Sequence, residues 1–229
     1  TALAENLIAA LPETLRPEEV LGPVHGRQHE HRRACLAAWM ASQGGGLAVI
    51  SAGSELIRNR DNPFPFRSHS DFLYMTGFPE PDAWWLMRVD ANGTSRNVLA
   101  CRGRDPEREI WDGVRVGPLA AAQRFHMDAA IDVTELDTTV IEMAANLPAF
   151  YAHVGVHAEL DEKLRRWLNG LRAQGRADVT APDRIVDISQ AIARQRLIKD
   201  APEMATMQRA ATISAAAHVR AMQHARPGQ

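Results

Sequence analysis

Apolar residues along this chain fall into two patterns, runs of strand length and stripes at helical spacing. Over residues 27–42, Ala34, Cys35, Ala38 and Trp39 recur at helical intervals until Gly44, Gly45 and Gly46 end the run. Residues 47–52 (Leu-Ala-Val-Ile-Ser-Ala) form a short apolar run that predicts a strand, and similar runs at 71–77, 84–90 and 97–102 predict three more. Helical stretches follow at 118–126, 134–146 and 160–171. In the last of these, Leu160, Leu164, Trp167, Leu168 and Leu171 share one face. Acidic Glu159, Asp161 and Glu162 lead that helix and Arg165 and Arg166 follow, as the helix dipole prefers. Residues 149–154 predict a further strand. Several strand connections are too short for a helical crossover, so the expected fold is α/β, a mixed β-sheet of at least five strands flanked by helices.

The two ends differ from this middle. Residues 1–26 carry one short apolar patch (Leu7, Ile8, Leu11) interrupted by Pro12, Pro17 and Pro23, and predict an N-terminal arm. Residues 27–182 form the α/β domain. Residues 183–229 predict a helix over 183–197 and a second from Ala201 to about His224, opened by Asp200 as N-cap, Pro202 in the first turn and Glu203 closing a capping box. Met204, Met207 and Met222 lie along this last helix, more simply a core face awaiting a missing domain than a groove for a partner helix. The ending Arg226-Pro227-Gly228-Gln229 is a turn signal that leads onward, so the chain reads as a fragment.

Length and charge narrow the function. The chain has 229 residues, about one and a half domains of ~150 residues. Its 26 basic and 28 acidic side chains give a net charge of −2, which leaves no excess to hold nucleic acid or an anionic membrane. No run approaches the ~18 apolar residues of a membrane span, and the first residues lack the basic start of a signal peptide; a cytoplasmic protein is expected. Cys35 and Cys101 are too few and too far apart for a disulfide framework or a zinc ribbon, and both are expected to be reduced and buried.

Candidate chemistry is sparse. His25, His29 and His31 have the spacing of a metal cluster, but Gly26, Arg27, Gln28, Glu30, Arg32 and Arg33 around them describe a solvated helix start. Asp128, Asp132, Glu135 and Asp137 bracket a strand and a helix N-terminus, where carboxylates cap. No nucleophile elbow or phosphate-cradling glycine loop is present. One block does stand out. It runs from Asp61 to Pro81, a proline-stiffened loop with Phe64 and Phe66, then Arg67, Asp71, Phe72, Tyr74, Thr76 and Gly77 in what reads as a strand and turn. Further on, Arg104 to Gly113 places Trp111 before a glycine in what reads as a loop after a strand, either a lid on core or a binding surface.

At these residues the chain resembles the N-terminal domain of aminopeptidase P, the Xaa-Pro aminopeptidases of the creatinase and prolidase group. The resemblance rests on Phe66-Arg67-x-x-Ser70-Asp71-Phe72-x-Tyr74-x-Thr76-Gly77-Phe78-x-Glu80-Pro81, on Arg104-Asp105 with Ile110-Trp111-x-Gly113, and on Arg196-Leu-Ile-Lys199-x-x-x-Glu203. It implies a mixed sheet flanked by helices, then the first helix of a pita-bread catalytic domain. In that family two metal ions, typically manganese, are held by two Asp, one His and two Glu of the second domain and activate a water against the bond preceding proline. The resemblance assigns none of those ligands here, so this chain is expected to hold no catalytic residue and no metal, and to be inactive alone. It also implies homo-oligomer assembly and a substrate rim containing Trp111, whose flat face suits a pyrrolidine ring, and Asp61. The alternatives are a free-standing interaction module, or the equivalent domain of a prolidase or creatinase.

Overall fold

The computed structural model describes residues 26–175 and 178–228; the expected arm lies outside them except for Gly26. The chain divides into two compact units, 1–192 and 193–229. In the first, helix α1 (Gly26–Ser42) leads into β1 (Gly46–Ser51), the short ribbon β2 (Ile57–Asn59) and β3 (Asn62–Pro63), and helix α2 (Ser70–Thr76). The hairpin β4 (Trp84–Val89) and β5 (Ser95–Cys101) precedes α3 (Pro106–Asp112) and α4 (Gly117–Arg124). Then come β6 (Ala129–Asp132), α5 (Leu136–Ala144), β7 (Ala149–Ala152), α6 (Ala158–Ala173), β8 (Arg184–Asp187) and the beginning of α7 (Ser189–Leu197), whose last residues belong to the second unit. The second unit carries α8 (Ala201–His224).

Six strands form one sheet in the order β6-β5-β4-β1-β7-β8. The central β1-β4-β5 pairs are antiparallel, whereas β5-β6, β1-β7 and β7-β8 are parallel, which makes the sheet mixed as expected. Alternation along each strand sends side chains to two separate cores. Ala48, Ile50, Trp85, Met87, Leu99 and Tyr151 pack with Leu36 and Met40 of α1 and with Phe72 and Met75 of α2. Leu47, Val49, Trp84, Leu86, Val98 and Phe150 pack on the other face with Val140 of α5 and with Leu160, Leu164 and Trp167 of α6. Helices on both faces explain why β1 and β4 are nearly apolar throughout.

Four local expectations are corrected. Residues 71–77 are helix, not strand: Asp71, Phe72, Met75 and Thr76 are the buried positions, the i, i+1, i+4, i+5 pattern of a helical face, and Gly77 closes it in the left-handed conformation (φ 69°). The residues 183–197 are not one helix, because Arg184–Asp187 pairs in parallel with β7 as an edge strand before α7 begins. In α1 the buried face is Arg33, Leu36, Ala37 and Met40, so Ala34, Ala38 and the expected-buried Cys35 are exposed; the larger Leu36 and Met40 determine which face turns inward. Trp111 lies in helix α3 rather than in a loop. Among the described residues, no helix is long and apolar enough to cross a membrane.

Candidate functional site

The segment that carries Trp111 is built to hold its side chain outward. Asp105 caps α3, its carboxylate accepting from the Arg108 N–H (3.2 Å), and Pro106 fits the first turn. Arg104 and Glu109 form a forked ion pair along the base of the helix, Nη2 to Oε2 2.8 Å. Beyond α3, Glu80 accepts the Val116 N–H (2.7 Å), tying this segment back to the Asp61–Pro81 block. Gly117 (φ 70°) admits the Arg104 side chain so closely that a Cβ there would stand 2.9 Å from Arg104 Cγ. Held at both ends, α3 leaves Trp111 86% exposed, with Ile110 and Val114 exposed beside it. Asp61 sits in the turn between β2 and β3, exposed, and among the described residues it makes no hydrogen bond or ion pair. Phe64 and Ile57 of the same ribbon are also exposed. Asp61 and Trp111 therefore lie on separate exposed segments, and no hydrogen bond or ion pair joins them.

The block from Ser70 to Gly77 is a support. Helix α1 supplies cations to the carbonyl end of α2: Arg33 donates to Met75 O (2.8 Å) and to His126 O (2.8 Å), and Arg32 donates to Tyr74 O (3.1 Å). The Nδ1–H of His29 donates to the same Tyr74 carbonyl (2.8 Å). Burial lowers the Arg33 pKa to about 10, against the opposing pull of Glu30 and Asp128, so its guanidinium stays charged at neutral pH. The candidate histidine cluster of the sequence therefore does not converge: His29 serves α2, His31 stands beside Cys35 (Nε2 to Sγ 3.7 Å), and His25 lies outside the described residues. Cys101 is buried, and burial together with Glu80 and Asp132 pushes its thiol up to about 12.

A different set converges. His153 Nε2 is bonded to Asp71 Oδ2 (2.9 Å) in a nearly solvent-free setting, and the His69 ring lies 4.8 Å from that of His153. Ligand atoms of His69, Asp71 and His153 all lie within 4.8 Å of one another. Because 82 residues separate the bonded pair, the set shows along the chain only as the His-Ser-Asp run at 69–71.

The mixed sheet with both faces covered, with a short capped helix that holds a tryptophan outward, defines the class as an α/β domain. The profile of the aminopeptidase P N-terminal domain family matches residues 29–151, and the chain belongs to that family. It is similar to the Xaa-Pro aminopeptidase of Escherichia coli, 34% identical over 208 residues, which are 91% of this chain and 47% of that protein. Human Xaa-Pro aminopeptidase 3 is 26% identical, over 92% of this chain and 43% of its own length. The solved low-pH form of E. coli aminopeptidase P superposes with a TM-score of 0.84 at 35% identity, covering 89% of this chain and 46% of that one. A zinc-substituted form of that enzyme in complex with product gives a TM-score of 0.84 at 34% identity. The chain thus spans about half the length of the relatives it matches.

Proposed function

We propose that this chain is the N-terminal domain of a metal-dependent Xaa-Pro aminopeptidase, an enzyme that removes the N-terminal residue preceding proline, and that the peptide-cleaving centre lies outside these 229 residues. The observation that carries the reading is the match to Xaa-Pro aminopeptidases over nearly all of this chain and under half of theirs. A centre holding two manganese ions through two Asp, one His and two Glu is rich in carboxylate, as manganese prefers. The one convergent set among the described residues has two histidines and a single carboxylate, which does not fit. No step of peptide hydrolysis is therefore assigned to a residue of this chain.

In this reading the domain takes part in homo-oligomer assembly and forms the rim of the substrate site. Trp111, exposed on a helix fixed at both ends, offers a flat apolar face to the proline ring, and Asp61 offers an acidic group at the same rim. A reducing compartment, the cytoplasm, suits the unbridged Cys35 and Cys101. The test is Xaa-Pro peptide hydrolysis with added manganese. The 229-residue chain should release no amino acid, whereas the longer polypeptide purified from source cells should release the residue preceding proline. Hydrolysis by the short chain, or a source-cell product of this length without activity, overturns the reading.

A further inference from the structure

We propose that His69, Asp71 and His153 form a binding site for a divalent transition-metal ion of the zinc class, with His157 as a neighbouring fourth donor. Zinc holds nitrogen and oxygen ligands at ~2.0–2.2 Å, so donors around one tetrahedral ion stand roughly 3.4 Å apart by that geometry. The three donors here already lie within 4.8 Å of one another, and the closest pair is 2.9 Å apart. Side-chain shifts on the order of 1 Å, with His153 and Asp71 parting slightly and His69 moving inward, complete that geometry.

The backbone brings these residues to one place from distant parts of the chain. Strands β1 and β7 run parallel, so their carboxyl ends lie side by side. His153 follows the last residue of β7, and the His69 N–H donates to Ala52 O (2.9 Å) just beyond β1. His69 is also the N-cap residue of α2, and Asp71 sits in its first turn. The Asp71 and His153 side chains are 13% and 4% exposed, so the donors are shielded from competing water. His157 lies edge-on to His69, ring centroids 5.3 Å apart, and its buried Nε2 has no hydrogen-bond partner among the described residues. A buried nitrogen left in that state costs roughly 1–3 kcal/mol, which a ligated ion would relieve.

The chemistry of the set selects the ion. Two imidazoles and one carboxylate suit zinc, cobalt or nickel, whereas magnesium and calcium take oxygen ligands. Charge agrees, because Asp187 at the end of parallel β8 pairs with Ala152, the residue before His153, and places a second carboxylate on the neighbouring strand. A bound ion would take the place of the proton shared by Asp71 and His153 and would tie the start of α2 to the sheet.

The probe is cobalt(II) alone, titrated into the 229-residue chain after dialysis against chelator, followed by zinc(II) in thermal unfolding. One equivalent should develop the visible absorption of tetrahedral cobalt, zinc should displace it, and zinc should raise Tm by several degrees through preferential binding to the folded chain. His69→Ala should weaken binding at least ~10-fold while far-ultraviolet circular dichroism is unchanged. Absence of a cobalt spectrum and of a zinc-dependent Tm shift in the unaltered chain overturns the proposal, as does full binding by folded His69→Ala. Should the variant not fold, acylation of the unaltered chain by diethyl pyrocarbonate decides. Zinc that protects His69 and leaves His31 reactive supports the site, and equal modification with and without zinc contradicts it.

Discussion

Asp137 accepts hydrogen bonds from the Trp167 indole (2.8 Å) and the Lys163 ammonium (3.1 Å), and these hold α5 against α6 beside the core. Burial pushes its carboxyl up, but the two hydrogen bonds and the Lys163 charge outweigh it and leave the pKa below the ordinary range. A carboxyl depressed on folding adds stability that is complete above its unfolded value of ~3.9 and disappears as pH falls through the lower folded value. Asp137 is half exposed, so solvent screening limits the effect. Asp137→Asn should therefore cost on the order of 1 kcal/mol at neutral pH. Urea unfolding should show that difference constant from about pH 6 to 8 and shrinking below about pH 4. A difference that grows on acidification contradicts the assignment.

Helix α2 links the proposed metal site to helix α1: its start carries His69 and Asp71, and its end receives His29, Arg32 and Arg33. Gly77 makes that end possible. Its φ of 69° is one that side chains avoid, and a Cβ would stand 2.6 Å from His29 Nε2, an imidazole already fixed on Tyr74. Gly77→Ala should destabilise the chain by about 1–3 kcal/mol in denaturant unfolding, and a change within ~0.5 kcal/mol would show that the turn is not constrained. The same helix shows where the sequence misleads. Phe72, Tyr74 and Thr76 are strand formers, and over seven residues their composition outweighed the helical burial spacing and the stop signal at Gly77. The β8 strand was hidden for a related reason: Arg184–Asp187 is a short, largely exposed edge whose strand character comes from pairing with β7. Long or strongly cued elements were legible, as in α6, whose five expected core residues are all buried, and in α8, whose Asp200–Glu203 capping box is present as read.

At the scale of the whole molecule, the mixed sheet followed from short strand connections, and the family from motif blocks that lie on α2, on α3 and around the capping box of α8. Trp111 stood out locally as a tryptophan before a glycine, but its place in a substrate rim, like that of Asp61, came through the resemblance. What the fold adds is a physical account of the tryptophan: α3 is capped by Asp105, clamped by Arg104 and Glu109 and tied down through Glu80, so a large apolar ring is held in solvent. Of the His69, Asp71 and His153 set only the His-Ser-Asp run was legible along the chain, because the parallel pairing of β1 and β7 is what adds His153. The most direct test of the rim-domain account is steady-state kinetics of the longer enzyme carrying Trp111→Ala, on a peptide with proline in the second position. Removing an interface aromatic costs ~2 kcal/mol or more of binding at a hot spot, so KM should rise at least ~10-fold with kcat nearly unchanged. A variant with the KM of the unaltered enzyme would remove Trp111 from the substrate site and contradict the account.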